Sequence, residues 1–243
     1  KEALLDTTDL LEEAGIPYVG GGRNIEEAKR PIYFIVNGIK IGFVGASNGE
    51  KIQFTPQATE EEPGILRAYD TTEYNEVISK ASQECDYLIA YIHWGTEYQL
   101  KHNAYQYGLG QWLADLGIDL IIGGHPHVVQ DAGVLIAADG RHVPVFYSLG
   151  NLISNQRWED SNGGIIATVD IDRETKQVVK VDYHPVYVHK GYLLDEPRNY
   201  YCIPTFDYIE GKLPFTLPND SLENDLKTFH WNTYKRLGIP QHY

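Results

Sequence analysis

The stretch from Gly117 to His127 reads GIDLIIGGHPH, and it decides the fold class of this chain. Its apolar run from Ile118 to Ile122 has the length and continuity of a strand buried on both faces, which is typical of parallel sheets. Two glycines then permit a sharp turn, and Pro126 restricts the backbone between two histidines. The stretch therefore predicts an α/β sheet with polar side chains at its carboxyl edge, where the ligand crevice of such folds lies.

The same pattern of a buried strand with a polar ending occurs in two other places. Tyr87 to Ile92 is an apolar run followed by HWGTE at residues 93–97, and Val143 to Leu149 is followed by Gly150 and Asn151. The carboxyl ends of parallel strands meet at one edge of a sheet. We therefore expect the three polar endings to converge.

Other parts of the chain alternate between extended and helical patterns. Ile32 to Val36 and Ile39 to Val44 flank Asn37-Gly38, a pair typical of a two-residue hairpin turn. Ile165 to Ile171 and Val178 to Val188 are predicted to form a longer antiparallel pair. Strands that alternate with helices indicate an α/β fold with mixed sheets. Apolar residues at helical spacing predict helices near residues 4–14, 74–81, 103–116 and 221–237.

Composition excludes several classes of protein. The 243 residues include 20 Lys+Arg and 34 Asp+Glu, which gives a formal net charge of −14. That sign excludes nucleic acid as an expected partner, because nucleic acid attracts basic proteins. Cys85 and Cys202 are the only cysteines, so no disulfide framework is predicted, although one pair could form. The absence of Met, together with Lys1 as first residue, predicts a mature form or a fragment.

The histidines after the strands are the candidate metal ligands. His125 and His127 could point at one metal ion or at two adjacent ions, and neutral imidazole suits Zn, Fe and Mn. The alternative is a pair of loop histidines that bond to the backbone. His93 could be a third ligand or a strand-end histidine bonded to a carbonyl oxygen.

Two further side chains at this edge have open roles. Glu97 could bind metal, orient His93, transfer protons, or simply be a solvated surface carboxylate. Asn151 could offer its carbonyl oxygen to a metal or its amide to an anionic ligand, although Asn after Gly is common in turns.

Several segments, in order, resemble the CapA/PgsA-like proteins of poly-γ-glutamate capsule synthesis. They are LLDTTDLLEEAGIPYVGGGRNIEEAKRPIYFIVNGIKIGFVG at residues 4–45, IHWGTEY at 92–98, GIDLIIGGHPHVVQ at 117–130 and FYSLGNLISNQ at 146–156. The resemblance covers about residues 1–190 and identifies a branch of the calcineurin-like metallophosphatases. It implies a CapA-like domain over residues 1–190, with a Tyr/Pro-rich extension over 191–243 whose final helix packs on the same domain. Within the extension, residues 191–220 are expected to follow the surface without regular structure.

The resemblance implies an α/β/β/α sandwich around two divalent metal ions (Mn, Zn or Fe). His93, His125 and His127 would be metal ligands, with Glu97 and Asn151 as catalytic residues beside them. In that family an aspartate motif, a short acidic motif and an Asn-Asn-His segment precede the helix with which this chain begins. We therefore expect an N-terminally truncated fold that supplies half of the metal site, binds metal weakly or not at all, and is inactive by itself.

The function implied is a metal-dependent hydrolase of capsule synthesis that acts on a phosphoester or a γ-glutamyl amide bond. The substrate would be an anionic polymer or a small molecule. The protein would lie in the cell envelope, outside the cytoplasmic membrane or anchored to it. Its partners would be other capsule-synthesis or membrane proteins. A sheet without its first strand would expose an edge, through which we expect dimers. The alternatives are a catalytically silent scaffold or polymer-binding module, and a single-zinc hydrolase, since three histidines and a water complete a catalytic zinc shell.

Overall fold

The computed structural model describes residues 1–48, 56–68, 71–156, 158–193 and 198–238. Its helices are α1 (Glu2–Glu13), α2 (Ile25–Ala28), α3 (Thr71–Glu84), α4 (Ala104–Asp115), α5 (Thr205–Ile209) and α6 (Asp220–Leu237). Its strands are β1 (Gly21–Gly22), β2 (Ile32–Val36), β3 (Ile39–Ser47), β4 (Gly64–Ile65), β5 (Tyr87–His93), β6 (Leu120–Gly124), β7 (Ala132–Ile136), β8 (His142–Phe146), β9 (Gly163–Ile171), β10 (Val178–Gly191) and β11 (Asn199–Pro204). The predicted mixed α/β fold is confirmed.

The larger sheet has six strands in the order β2-β3-β5-β6-β8-β7. Its four inner strands are parallel neighbours, while β2 and β7 are antiparallel edge strands. The parallel arrangement brings the carboxyl ends of β3, β5 and β6 to one edge, as the apolar runs predicted. The strand β7, whose sequence is AGVLI, was not expected from the sequence although its residues are apolar.

The predicted hairpin between β2 and β3 is confirmed. Asn37 and Gly38 form its turn with φ angles of +51° and +84°, and Val36 pairs with Ile39. Two consecutive positive φ values match the twist of adjacent antiparallel strands, which is why Asn-Gly suits this position.

The smaller sheet has three antiparallel strands in the order β11-β10-β9. The expectation that residues 191–220 lack regular structure was wrong, because β11 and α5 lie within them. Tyrosine and proline obscured a β-rich run, in which Ile203 is buried and α5 begins directly after Pro204.

Two apolar cores lie between the layers of helices and sheets. Helices α3 and α4 cover one face of the six-stranded sheet, with buried contacts that include Ile78, Leu113 and Ile92. The opposite face shares a second core with the smaller sheet and α6, including Ile89 and Phe229. Each fully buried Ile, Leu or Phe contributes about 1.5–3 kcal/mol. The layer order is helices, large sheet, small sheet, with α5 and α6 packed against β10.

Both cysteines are free thiols, Cys85 partly buried and Cys202 exposed, so they do not form a disulfide with each other. Among the described residues, every helix is too short or too polar to cross a membrane.

Candidate functional site

The carboxyl edge of the large sheet brings the candidate residues together. His93 ends β5, and it lies beside Ser47 at the end of β3 and beside Gly124 at the end of β6. The turn after β6 then carries His125 and His127, both with positive φ angles of +100° and +60°. Left-handed backbone at two non-glycine residues costs free energy and persists only where the surrounding structure enforces it.

A close backbone approach holds the histidine turn in place. The indole Nε1 of buried Trp94 donates a hydrogen bond of 2.8 Å to the carbonyl oxygen of Tyr147. Gly123 lies against both groups, since a Cβ there would be 2.0 Å from that oxygen and 2.3 Å from the indole nitrogen. The first glycine of the Gly-Gly pair is therefore required by packing, which the sequence alone did not reveal.

His93 and His125 form a close imidazole pair. Their ring centroids are 4.5 Å apart with an interplanar angle of 46°. Burial, and then the charges of His125 and His127, lower the pKa of His93 to about 4. Burial likewise lowers the pKa of His125. Both rings are therefore neutral at neutral pH, which leaves each with a nitrogen lone pair that can bind a cation.

His127 lies beside the pair and contacts different residues. Its ring centroid is 6.3 Å from that of His125, and its Nδ1 is 3.0 Å from Oδ1 of Asn151. Tyr98 stacks against the ring at 6.2 Å between centroids, and the Tyr98 amide donates to the carbonyl oxygen of Pro126. The sequence predicted that His127 and Asn151 would be close, and the structure shows a direct hydrogen bond.

The structure places Glu97 on the surface of the site. Its side chain is exposed, and its negative charge acts to raise the pKa of both His93 and His125, against the stronger effect of burial. The ligand, orienting and proton-transfer roles of Glu97 all stay predictions.

The donor chemistry at this edge suits a divalent cation, but the described residues do not complete a site. Neutral imidazole nitrogens are good ligands for Zn, Fe and Mn. Within residues 1–48, 56–68, 71–156, 158–193 and 198–238, however, no three His, Cys, Asp or Glu side chains are arranged to hold a metal ion. The three histidines are adjacent, and their role as a shared ligand set stays a prediction.

Four residues at this edge were missed by the sequence analysis. Ser47 ends β3 and Asn48 follows it, and the buried Ser47 Oγ and Asn48 Oδ1 have no hydrogen-bond partner in the described part of the chain. The rule that found the other strand endings would have found these two as well. Tyr98 and Gln156 contact the His127–Asn151 pair, and no local pattern marks them.

A cleft of about 290 Å³ lies beside His93. Its walls include Gly20, Gly45, Ser47 and Tyr91. Ser47 and His93 therefore border the same open space.

The chain can now be compared with known proteins. The family profile described as "Bacterial capsule synthesis protein PGA_cap" matches residues 1–156, which contain all the candidate site residues. This chain belongs to that family. The resemblance inferred from the sequence segments is thereby confirmed.

Two curated members of the capsule family are similar over most of the chain. "Capsule biosynthesis protein CapA" of Bacillus anthracis is 30% identical over 235 residues, which are 93% of this chain and 54% of that protein. "PGA biosynthesis protein CapA" of Bacillus subtilis (strain 168) is 29% identical over 187 residues, which are 75% of this chain and 47% of that protein. The chain spans about half the length of the curated relatives it matches.

One solved structure similar to this chain is the NAD nucleotidase NadN of Haemophilus influenzae. It matches with 13% sequence identity and a TM-score of 0.49, over 99% of this chain and 45% of that protein. A similarity of this strength does not assign an activity to the chain.

Proposed function

We propose that this chain is part of a metal-dependent hydrolase of capsule synthesis, which acts on a phosphoester or a γ-glutamyl amide bond. The observation that supports the proposal is the His93–His125 pair, whose two imidazoles are 4.5 Å apart and kept neutral by burial. Family membership places the chain in capsule biosynthesis. Poly-γ-glutamate as the polymer is part of the proposal.

Each residue has a defined part in this proposal. His93 and His125 would bind a divalent ion, and because burial keeps them unprotonated, binding need not displace a proton at neutral pH. His127 would add a third nitrogen, and exposed Glu97 would accept a proton from the attacking water. When bound, such an ion supplies Lewis acidity and lowers the pKa of a bound water.

The proposal extends to location and partners. An anionic capsule polymer or a small-molecule precursor would be the substrate, and the cell envelope would be the location. Other capsule-synthesis or membrane proteins would be partners. The curated relatives support this extension because they are described as capsule biosynthesis proteins.

Metal titration of the purified full-length protein tests the proposed ligands. Calorimetry with Zn and with Mn would compare the wild type with His93→Ala, His125→Ala and His127→Ala. His142→Ala is the matched control, since His142 is exposed at the start of β8, remote from the histidine pair. We expect each site variant to bind at least about tenfold more weakly and the control to bind like the wild type.

The stoichiometry separates the candidate functions. Two bound ions support the two-metal hydrolase, one ion supports the single-zinc hydrolase, and no binding supports the silent scaffold. Equal metal affinity in the wild type and all three site variants would show that the three histidines are not metal ligands. Release of phosphate from phosphoesters, measured beside release of glutamate from γ-glutamyl peptides, would then identify the bond.

A further inference from the structure

The side chain of Asn151 is a buried hub beside His127. The residue is 8% exposed and follows Gly150, which has a φ angle of +76°. Its amide nitrogen Nδ2 lies 3.0 Å from the carbonyl oxygen of His127 and 2.8 Å from that of Ser161. Its Oδ1 lies 3.0 Å from Nδ1 of His127.

These contacts fix which way the Asn151 amide points. Backbone carbonyl oxygens accept hydrogen bonds and cannot donate them. The atom between the carbonyls of His127 and Ser161 must therefore be the NH₂ group. The opposite arrangement would set oxygen against two oxygens in a buried position, which costs free energy. Oδ1 is thus the atom that faces the imidazole.

The tautomer of His127 follows from that orientation. A neutral imidazole has one N–H donor and one nitrogen that accepts. Because Oδ1 of Asn151 can only accept, Nδ1 of His127 must carry the proton. We propose that Asn151 is a positioning residue, which fixes His127 as the Nδ1–H tautomer and leaves the lone pair on Nε2.

The hydrogen-bonded contacts of Asn151 extend through Gln156 to Tyr98 at the surface. Nδ2 of Asn151 also lies 3.1 Å from Oε1 of Gln156, a third acceptor that shares its two N–H groups with the carbonyls, and Nε2 of Gln156 donates to the hydroxyl oxygen of Tyr98 at 3.1 Å. Tyr98 in turn stacks on the His127 ring. The chain His127–Asn151–Gln156–Tyr98 returns to its starting ring, so it restrains both the tautomer and the ring orientation.

This inference deepens the proposed function. The tautomer itself is argued from hydrogen bonds, and only the use of Nε2 as a metal ligand rests on the proposed function. A histidine that binds a metal through Nε2 commonly donates its other N–H to an oxygen, which orients the ring. Asn151 supplies that oxygen. Its amide groups are engaged within the chain, so the geometry favours positioning over direct contact with metal or substrate.

Nitrogen NMR of metal-free protein labelled with ¹⁵N-histidine tests the assignment in mildly alkaline buffer. We expect His127 to show a protonated Nδ1 and an unprotonated Nε2. Asn151→Ala should shift the proton toward Nε2, because it removes the oxygen that accepts from Nδ1. Gln156→Ala should retain the wild-type tautomer, since the two carbonyls still hold the Asn151 amide.

His102 provides an internal reference in each spectrum. Its Nδ1 is 2.9 Å from Oδ2 of Asp131, outside the Asn151 hub, so unchanged His102 signals report an intact fold. A wild-type His127 with its proton on Nε2 would overturn the assignment, whether or not Asn151→Ala folds. So would a folded Asn151→Ala variant that keeps Nδ1–H. The measurement needs no metal or substrate, so the tautomer of His127 can be confirmed or overturned even if the hydrolase proposal fails.

Discussion

The polar groups at the two ends of the six-stranded sheet differ in whether they have partners. At the amino end, the guanidinium of Arg141 donates to Oδ1 of Asp119 at 2.8 Å and to the carbonyl oxygens of Ile118 and Ala114. Its Nε donates to Asp139. At the carboxyl end, two neutral imidazoles lie side by side, and the buried hydroxyl of Ser47 has no partner among the described residues.

The difference distinguishes a structural cluster from a candidate functional site. At the amino end, paired charges and hydrogen bonds satisfy one another, so the cluster stabilises the fold, and its Asp119 and Arg141 also line a cavity of about 570 Å³. At the carboxyl end, His125 and His127 have left-handed backbone, and burial lowers the pKa of His93. Strained backbone and perturbed pKa values mark a binding site more often than a structural contact.

The largest expected effect tests the packing under the histidine turn. Gly123→Ala should destabilise the fold by about 3 kcal/mol, because its Cβ would overlap backbone and a buried indole that cannot move away. Gly124→Ala is the matched control, since its Cβ would meet only the hydroxyl of the half-exposed Tyr91. Urea unfolding measures both variants, and equal losses would contradict the role assigned to Gly123.

The next effect tests the amino end. Arg141→Leu should cost about 2 kcal/mol, because it leaves Asp119 and two backbone carbonyls without their donor. Asp139→Asn should change the free energy of unfolding by less than about 0.5 kcal/mol, since Asp139 is on the surface. Neither change should alter the His127 tautomer. An altered tautomer would show that the two ends are coupled.

The pH dependence of stability should have opposite signs at the two ends. The pKa of His93 is about 4 in the folded chain and 6.5 as its ordinary value, so the unfolded state binds the proton first as the pH falls. The stability contributed by His93 is therefore present above pH 6.5 and is lost as the pH falls to about 4. Burial raises the pKa of Asp119, so its contribution is present at low pH and is lost as the pH rises.

Unfolding midpoints measured across this pH range test that sign. His93→Gln should flatten the fall in stability between pH 6.5 and about 4, because it removes the group whose protonation drives it. His142→Gln, a change at an exposed residue of the amino end, should retain the wild-type slope. An unchanged slope in His93→Gln would contradict the burial of this imidazole.

The smallest effect on stability concerns a sheet edge. The edge strand β2 exposes Phe34, Ile35 and Val36, and we propose that it pairs with a second copy of the chain. Ile35→Lys should change the free energy of unfolding by less than about 0.5 kcal/mol but convert dimers to monomers in light scattering. A monomeric wild type would remove the proposal.

Much of the carboxyl edge could be predicted because its signals are local. The apolar runs before His93 and His125 predicted buried parallel strands, and strand ends of one sheet must meet at one edge. The hydrogen bonds of Asn151 could not be predicted, although its position near His127 was expected, because the two residues are 24 positions apart in the chain. The strand β11, which pairs with β10, was also missed, since tyrosine and proline obscured a β-rich run.

The sequence by itself determined the four longer helices, the parallel strands, the Asn37-Gly38 turn and the family, because these depend on neighbouring residues or on ordered motifs. Only the tertiary structure decided that His93 and His125 pair, that Asn151 orients His127, and that Gly123 has no room for a side chain. Those features depend on distances of a few ångströms between segments far apart in the chain. Strand order, register and packing set such distances, and local preference does not.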